Sequence, residues 1–389
     1  MPTDELVVLG PRRIPPIPCP AASTNASLSI LTSDGFRQLP VKEYIDAASR
    51  LAPDIVVGLG DVPYGAEKIS KKKIDKITDR TAKWVAEHVK ARGEAALDAD
   101  SQTSTQPLFY APLLPLQSEA QRWYLDRLID ELRSGIQGLA VYSMEPLPSL
   151  PSELISLPRL AFTEPKSPVT ILREISLGID IHTIPFIGAA TDAGIALDFC
   201  FPAPASSSEP IAGQPLGIDM WQTAHAADVS PLREGCICYA CSNHHRAYLQ
   251  HLLMAKEMLG WVLLQVHNHA IMDEFFAGVR QSIAQGRFEE DVQTFERFYE
   301  PDLPAKTGQG PRYVSMFCVF LSTRGSQLTT CRVRGYQFKS EGPSEPKRNP
   351  AAFRKFDDAT EKLAEAASVP APTADANELQ AQGFAEKIE

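Results

Sequence analysis

Three cysteines and one distant histidine are the residues of this chain whose types and spacing best suit a metal ion. Cys236, Cys238 and Cys241 follow the pattern Cys-x-Cys-x-x-Cys, which places three thiolates on one tight turn. Thiolate and imidazole ligands together favour a tetrahedral Zn²⁺ site. His267 can close the site if the helix before it packs beside the turn. Because four protein ligands leave no position for water, we predict one structural zinc ion and no catalytic metal.

Two alternatives to this ligand set stay open. The cysteines could form a reduced cluster in the protein core, or the fourth ligand could be another histidine of this region: His244, His245 or His251. The chain has seven cysteines, an odd number, and three of them lie close together. In a reducing compartment such crowding indicates a metal more often than a disulfide.

The composition is that of a globular protein without a general attraction for nucleic acid. The chain has 389 residues, 44% of them hydrophobic, with a net charge of −10 and an isoelectric point of about 5.4. Any RNA contact must therefore be local. No run of about 18 apolar residues occurs, and Met1 is followed by polar residues instead of a basic and apolar leader. We expect a soluble cytosolic protein.

Short apolar runs alternate with amphipathic stretches in the first half of the chain, as in βα units around a parallel sheet. The predicted strands are Leu6–Leu9, Asp54–Leu59, Leu108–Leu113, Gly138–Tyr142, Arg159–Thr163 and Ile179–Thr183. The predicted helices are Val41–Leu51, Lys71–Ala91, Ser118–Arg133 and Pro168–Leu177. No Gly-x-Gly-x-x-Gly follows a strand, so a (β/α)8-type TIM barrel fits better than an open nucleotide-binding sheet. Since the pattern contains six strands, we predict a barrel that is incomplete at its N-terminus.

The chain divides into four predicted segments. Residues 1–200 form the barrel portion, and residues 201–230, rich in proline and serine, form a flexible insertion. Residues 231–300 form a zinc-binding helical subdomain that completes the barrel, and residues 301–389 form a largely disordered tail. Inside the tail, Val314–Cys331 is an apolar run that we interpret either as a strand or as a retained intron of the gene.

One predicted helix, Ala247–Val266, is more apolar than a single buried stripe requires. Leu249, Trp261 and Leu264 fall in the sector that also holds the polar residues Gln250, Glu257 and Gln265. We predict that this surplus apolar surface, which includes Leu253, contacts a partner subunit. The alternative is that these side chains belong to the core of their own subunit. Helix is also predicted over 270–285 and 289–299.

The cysteine motif carries a family resemblance. It reads Gly235-Cys-Ile-Cys-Tyr-Ala-Cys241, continues through His245 to Leu253 and ends at His267-Asn268. In order and spacing the four ligands closely resemble the zinc subdomain of the tRNA-guanine transglycosylases, enzymes that exchange a tRNA base for queuine or its precursor. Upstream, Pro158-Arg159-Leu160 and the stretch from Asp54 to Asp61 resemble strands of that family's barrel.

The same resemblance implies that the active site of the family is missing. Catalytic members use the second Asp of an Asp-Met-Phe-Asp strand end as the nucleophile, followed by Pro-Thr-Arg, whereas this chain reads Asp180-Ile-His-Thr183. The neutral hydroxyl of Thr183 cannot serve without an activating base. The family's Ser-Gly-Gly-Phe-Gln turn is absent, and its Gly-Gly-Leu-x-Val-Gly-Glu loop reads Gln137-Gly-Leu-Ala-Val-Tyr-Ser143. We therefore predict no catalytic residue.

This pattern resembles the accessory-subunit branch of the eukaryotic queuine tRNA-ribosyltransferases. The resemblance implies a non-catalytic chain that forms a heterodimer with a catalytic subunit and supports exchange of guanine for queuine at the tRNA wobble position. It also implies a subunit interface at the zinc subdomain and a peripheral association with the outer mitochondrial membrane. Two other functions are compatible with the sequence. One is a self-sufficient transglycosylase that uses Asp180 or Asp61, and the other is a zinc-dependent RNA-binding module without enzyme association, which the acidic balance disfavours.

Several other polar residues have simpler interpretations. A basic run is either a solvated helix face or a phosphate contact, and it comprises Lys68, Lys71, Lys72, Lys73, Lys76 and Arg80. His182 and His225 are predicted to make ordinary polar contacts, because neither has a cysteine or a second histidine at metal spacing.

Overall fold

The computed structural model describes residues 6–311, except for 13, 15, 20, 33–34, 65–68, 99–105, 205–212 and 309. Its strands are β1 (Val8–Leu9), β2 (Ser27–Thr32), β3 (Gly35–Pro40), β4 (Ile55–Val57), β5 (Leu108–Leu113), β6 (Gly138–Val141), β7 (Arg159–Ala161), β8 (Ile181–His182), β9 (Ile195–Leu197) and β10 (Gly217–Asp219). Its α-helices are α1 (Val41–Leu51), α2 (Lys71–Asp98), α3 (Arg122–Asp130), α4 (Ser152–Ile155), α5 (Pro168–Ser176), α6 (Phe186–Ala193), α7 (Tyr239–Asn243), α8 (Arg246–Met254), α9 (Met258–Ala284) and α10 (Phe288–Phe298).

A parallel sheet of six strands organises the first half of the described chain. The strand order is β1-β4-β5-β6-β7-β8, and every neighbouring pair is parallel. The six predicted strands are confirmed, and no strand end lies more than two residues from its expected position. Within the described residues β1 does not pair with β8, so the sheet is a curled half-barrel. The predicted barrel of (β/α)8 type, incomplete at its N-terminus, is thus confirmed as a half-barrel of six strands, and a full barrel is not confirmed.

The two faces of this sheet bury alternate residues, as the period of two along a strand requires. Val56, Phe109 and Leu139 point to the face that helices α1, α2 and α3 cover. A second cluster, on the inner face of the curl, contains the strand residues Ile55, Val57, Tyr110, Ala140 and Leu160. Because both faces are buried, the strands are almost continuously apolar, which is why they are visible in the sequence.

Two antiparallel strand pairs lie outside this sheet. Strands β2 and β3 form a hairpin, and β9 pairs with β10 through residues such as Leu197 and Gly217. Strand β10 falls within the 201–230 segment, so part of the predicted insertion is regular structure that pairs with β9. Residues 205–212 lie outside the described residues, and the division of the chain into four segments stays a prediction.

The prediction of one helix over Ala247–Val266 is wrong. Helix α8 ends at Met254 and α9 begins at Met258, and between them Lys256 has a φ of 59°. The amides of Lys256 and Glu257 donate to the carbonyls of Leu253 and Leu252, which closes the end of α8. The break rotates α9 relative to α8, so the helical wheel of a continuous helix does not apply.

The apolar residues assigned to a partner interface are therefore core residues. Leu249, Leu253, Trp261 and Leu264 are each 2% exposed or less and belong to one cluster that also contains Met220. Two helices that meet at an angle each present their own buried stripe to this cluster, so no surplus apolar surface arises from these four side chains. The interface prediction for these residues is wrong, and the core alternative is confirmed.

The C-terminal helix and the tail have different outcomes. Helix α10, Phe288–Phe298, confirms the helix predicted over 289–299. The predicted strand or retained intron at Val314–Cys331 lies outside the described residues, as does most of the predicted tail. In the part of the chain that is described, no helix is both long and apolar enough to span a membrane.

We expect Leu249→Glu to lower the free energy of unfolding by more than about 4 kcal/mol, because it places an unpaired carboxylate in a closed apolar cluster. Thermal unfolding of the purified variant measures this loss. Val262→Glu on the neighbouring helix is the matched control, since Val262 is 52% exposed. Equal melting temperatures for Leu249→Glu and the unsubstituted chain would contradict this placement of Leu249.

Candidate metal centre

The cysteine turn is held in shape by the first turn of α7. Cys238 is the N-cap of this helix, and its Sγ accepts a hydrogen bond from the amide of Cys241 at 3.4 Å. The amide of Cys236 donates to the carbonyl of Arg233 at 3.3 Å, and Gly235 has a φ of 77°, which favours glycine. These local bonds turn the three thiols toward the same point.

His267 reaches that point from the middle of α9. Its Nδ1 lies 3.8, 3.6 and 3.4 Å from the Sγ atoms of Cys236, Cys238 and Cys241. In a tetrahedral zinc site with Zn–S of about 2.3 Å and Zn–N of about 2.1 Å, sulfur and nitrogen are about 3.6 Å apart. All four ligand atoms lie within 4.8 Å of one another. The structure therefore brings together the four residues predicted as ligands, in a cluster able to hold a metal ion.

The other ring nitrogen of His267 determines which nitrogen faces the thiols. Nε2 lies 2.9 Å from the carbonyl oxygen of Leu197 in β9, and a carbonyl can only accept, so Nε2 carries the proton. Nδ1 is then unprotonated and carries a free lone pair, which a metal ligand requires. Burial lowers the pKa of His267 to about 4, so the ring is neutral at pH 7. Burial raises the pKa of the Cys241 thiol to about 12, so a bound cation would have to displace its proton.

The neighbouring residue, Asn268, fastens the same strand. Its Oδ1 accepts from the amide of Leu197 at 2.8 Å, and its Nδ2 donates to Ile195 O and Thr191 Oγ1, both at 3.0 Å. Asn268 is fully buried, so these bonds replace water completely. His267 and Asn268 together hold β9 against α9 and fix the orientation of the His267 ring.

Two arginines brace the loop that leads to the cysteines. Arg246 donates to the carbonyls of Pro231 and Leu232 and pairs with Asp228. Arg233 forms an ion pair with Glu274 of α9 at 2.8 Å. The loop has little regular secondary structure, so these side-chain bonds hold its backbone in place.

The alternative histidine ligands have other positions. His245 caps α8, where its Nδ1 accepts from the amide of Tyr248 at 3.1 Å, and His244 stacks on the ring of Tyr248. His251 is exposed on α8. None of the three belongs to the metal-compatible cluster within the described chain. His182 contacts Glu174 at 3.4 Å and His225 contacts Asp228 at 3.7 Å, as polar contacts rather than ligands.

The residue in the place of the family's nucleophile is already bonded. The hydroxyl of Thr183 donates to the carbonyl of Ala161 at 2.8 Å, and no carboxylate or imidazole bonds to it within the described residues. A hydroxyl in this position has no base to remove its proton. The strand end of β8 therefore offers no nucleophile at this position.

The two aspartates considered for a catalytic role have structural partners. Asp180 precedes β8, at the edge of the sheet opposite the carboxyl ends of the strands, and its Oδ2 accepts from the amide of Arg159 at 2.8 Å. Asp61 forms an ion pair with Arg80, and its amide donates to Thr81 Oγ1. Parallel-sheet enzymes place catalytic groups at the carboxyl ends of the strands, so the position of Asp180 is unsuited to catalysis.

Aromatic rings fill the region where the family loop carries glycine. Tyr142 follows β6 in that loop, and its ring stacks on Phe162 with centroids 5.2 Å apart. The cavity that these rings share with Gly10, Ile14 and Tyr64 has a volume of 10 Å³. This space holds about one water molecule, whereas a separate cavity of 410 Å³ lies beside Thr183 and is lined by Phe162 and His182.

Sequence reasoning missed Asn268, Arg246 and Arg233 as determinants of the site. Asn268 stands beside the histidine in the motif, but only its burial in α9 against β9 reveals the role of its amide. The arginines have no distinguishing spacing. The Cys-x-Cys-x-x-Cys pattern, by contrast, is visible because its chemistry is local.

We expect Cys238→Ala and His267→Ala to yield protein that is poor in metal and poorly soluble. Metal binding at such sites contributes on the order of 10–16 kcal/mol, which equals or exceeds the roughly 5–15 kcal/mol net stability of a domain. Elemental analysis of the purified chain measures the metal content per subunit.

His251→Ala is the matched control for these substitutions, because it removes an exposed imidazole from the same region. It should keep its metal and its melting temperature. Stoichiometric metal in purified His267→Ala would show that another group is the fourth ligand.

Comparison with known proteins agrees with this architecture. The family model for queuine tRNA-ribosyltransferase matches residues 6–301. The chain is 38% identical over 317 residues to the queuine tRNA-ribosyltransferase accessory subunit 2 of Schizosaccharomyces pombe, covering 80% of this chain and 68% of that protein. It is 29% identical to the protein of the same name in Drosophila mojavensis, covering 69% and 66% of the two chains, and 28% identical to that of Xenopus laevis, covering 70% and 73%. The chain thus spans about two thirds of the length of these relatives, and it belongs to the queuine tRNA-ribosyltransferase family.

Proposed function

We propose that this chain is the non-catalytic accessory subunit of a queuine tRNA-ribosyltransferase. It pairs with a catalytic relative that exchanges guanine for queuine at the tRNA wobble position. The proposal rests on the residue at the nucleophile position. This residue is Thr183, and its hydroxyl donates a hydrogen bond to Ala161 O. The names of the relatives, all accessory subunits, support the same function.

The loss of activity extends beyond the nucleophile. Tyr142, whose ring stacks on Phe162, stands where the family's base-recognition loop carries glycine, and Ser143 stands where that loop carries Glu. Since a nucleophile and a base site are both required for base exchange, restoring either one alone restores nothing.

The metal centre serves this function as a structural element. Cys236, Cys238, Cys241 and His267 would hold one Zn²⁺ with no open coordination position, which suits a structural ion. The ion would supply the bonds that fasten the cysteine turn to α9. A turn of this kind has no core of its own, so its position would depend on the ion.

An exposed apolar stripe on α9 is the proposed contact with the catalytic subunit. It consists of Met258, Leu259, Val262 and Val266, which lie within a sector of about 100° and are 39–52% exposed. This stripe lies opposite the buried Leu264 on α9, which supports its availability to a partner. A row of exposed apolar residues next to a rigid metal site is typical of a protein contact. The cytosolic location and the peripheral mitochondrial association stay predictions.

We expect the purified chain to show no guanine exchange and to form no covalent complex with tRNA. Thr183→Asp should be equally inactive, because the base site and an acid/base group are still missing. Incorporation of labelled guanine into tRNA by each subunit alone and by their mixture measures this. A covalent adduct between the unsubstituted chain and tRNA would overturn the proposal.

We expect Val262→Glu and Val266→Glu to weaken binding of the catalytic subunit by at least about tenfold, since a charge would be desolvated at the centre of the contact. Titration by surface plasmon resonance measures the affinity. Leu51→Glu is the matched control, because Leu51 is 66% exposed at the far end of α1. Unaltered affinity in both α9 variants, with normal melting, would place the interface elsewhere.

A further inference from the structure

A cavity of 320 Å³ opens at the carboxyl ends of β1 and β4, outside the metal centre. Arg12, which follows β1, lines one side, and Lys73, Lys76 and Arg80 of α2 line the other. Strands β1 and β4 are parallel neighbours, so the loops after them share one edge of the sheet. This is the edge at which parallel-sheet proteins bind ligands.

Helix α2 divides its charges between two sides. At 100° per residue, Lys73, Lys76 and Arg80 fall within a sector of about 60°. Asp75 and Asp79 of the same helix lie about 130° and 90° from the middle of that sector and border a different cavity. The cationic sector faces Arg12 across the first cavity, which brings four positive charges together in a protein of net charge −10.

The negative groups near this cavity do not neutralise it. Asp61 lines the wall and is paired with Arg80, which leaves three cations. Glu164 also lies within electrostatic range of Tyr64, at the border of the cavity. Among the described residues, neither Lys73 nor Lys76 forms an ion pair, and the first turn of α2 contains no acidic residue. Lysines at a helix N-terminus oppose the helix dipole, and a bound anion would reverse that cost.

The surroundings of Arg12 favour the binding of an anion. Its guanidinium lies over the ring of Tyr64, 5.2 Å from the centroid, and its Nε is buried without a hydrogen-bond partner among the described residues. An unpaired buried guanidinium nitrogen is costly unless a ligand completes it. The flat, stacked guanidinium presents two donors side by side, the geometry that suits a phosphate.

An exposed aromatic ring lies close to these cations. Lys76 also lines a second cavity of 460 Å³, together with Lys72 and Trp123 of α3. Trp123 is 53% exposed, and the guanidinium of Arg127 lies over its ring, 5.7 Å from the centroid. Cations beside an exposed indole are the pattern that binds a nucleic-acid backbone and stacks a base.

We propose that Arg12, Lys73 and Lys76 bind a backbone phosphate of tRNA and that Trp123 stacks on a neighbouring unpaired base. This proposal rests on the proposed function and names the surface through which the accessory subunit holds its RNA. A lipid headgroup fits less well, because the cavity is concave and Trp123 is the one large exposed apolar side chain that lines either cavity in the described chain.

The test measures tRNA affinity as a function of salt for the complex of the full chain with its catalytic relative. Lys73→Gln combined with Lys76→Gln should lower the slope of log affinity against log salt concentration by about 2, and Arg12→Gln should lower it by about 1. Trp123→Ala should weaken binding about tenfold without changing the slope, because stacking releases no counterions. The substituted lysines are exposed, so folding should be unaffected.

Lys83→Gln combined with Lys90→Gln is the matched control. It removes the same charge from α2, at lysines that pair with Glu87 and Glu94. The control should keep the slope of the unsubstituted complex. If the Lys73/Lys76 variant and the control have the same slope while the complex forms and exchanges guanine, this inference fails and the proposed function stands. If no complex forms with the unsubstituted chain, the proposed function fails.

Two further arms separate the possible sources of the anion. Isothermal titration with inorganic phosphate, and co-sedimentation with mixed phosphatidylcholine and phosphatidylserine vesicles, are run on the same variants. We expect weak phosphate binding that Arg12→Gln abolishes, and no vesicle binding that depends on Lys73 and Lys76. Loss of vesicle binding in the Lys73/Lys76 variant, with tRNA affinity unchanged, would overturn the RNA assignment.

Discussion

The second half of the structure depends on the imidazole of His267, whose two ring nitrogens face different partners. Nε2 donates to Leu197 O, which directs the Nδ1 lone pair toward the three thiols. Asn268 adds three bonds, to Leu197 N, Ile195 O and Thr191 Oγ1, so α9 is held against β9 and α6. Each of these bonds is buried, and each would leave an unpaired polar group if its partner moved. The metal-compatible geometry follows from this tie between strand and helix, and not from the cysteines alone.

The first half of the structure shows how a catalytic scaffold can be kept after its chemistry is lost. The parallel sheet needs buried residues on both faces, and it has them in Val56, Phe109 and Ile55. Nothing in that requirement involves the carboxyl edge, where the nucleophile and the base site of catalytic members would lie. Thr183 can therefore bond to its neighbouring strand, and Tyr142 can fill the edge, without a cost to the sheet. Stability and catalysis are determined by different residues of the same strands.

The distribution of charge is also local and differs from the net charge of the chain. The chain as a whole is acidic, yet Lys73, Lys76 and Arg80 of α2 line one cavity with Arg12, whereas Asp75 and Asp79 border a different cavity. At physiological salt, exposed charges are screened over about 8 Å, so a local group of cations acts independently of a distant negative charge. A net charge of −10 thus excludes a general affinity for nucleic acid without excluding a specific contact.

The sequence by itself determined the features whose physics is local. The cysteine spacing, the six buried strands and helices such as Val41–Leu51 could be predicted because each depends on residues within a few positions of one another. Only the tertiary structure decided that a helix ends at Met254 and restarts at Met258, and this break moves Leu249 and Trp261 from a supposed interface into the core. Only the tertiary structure likewise placed Arg12 opposite Lys73 and Asn268 against Leu197. These placements depend on contacts between residues that are far apart in the chain. A single residue with positive φ sets the direction of the helix that follows it, and the edge of the sheet at which a loop lies determines which residues the loop contacts.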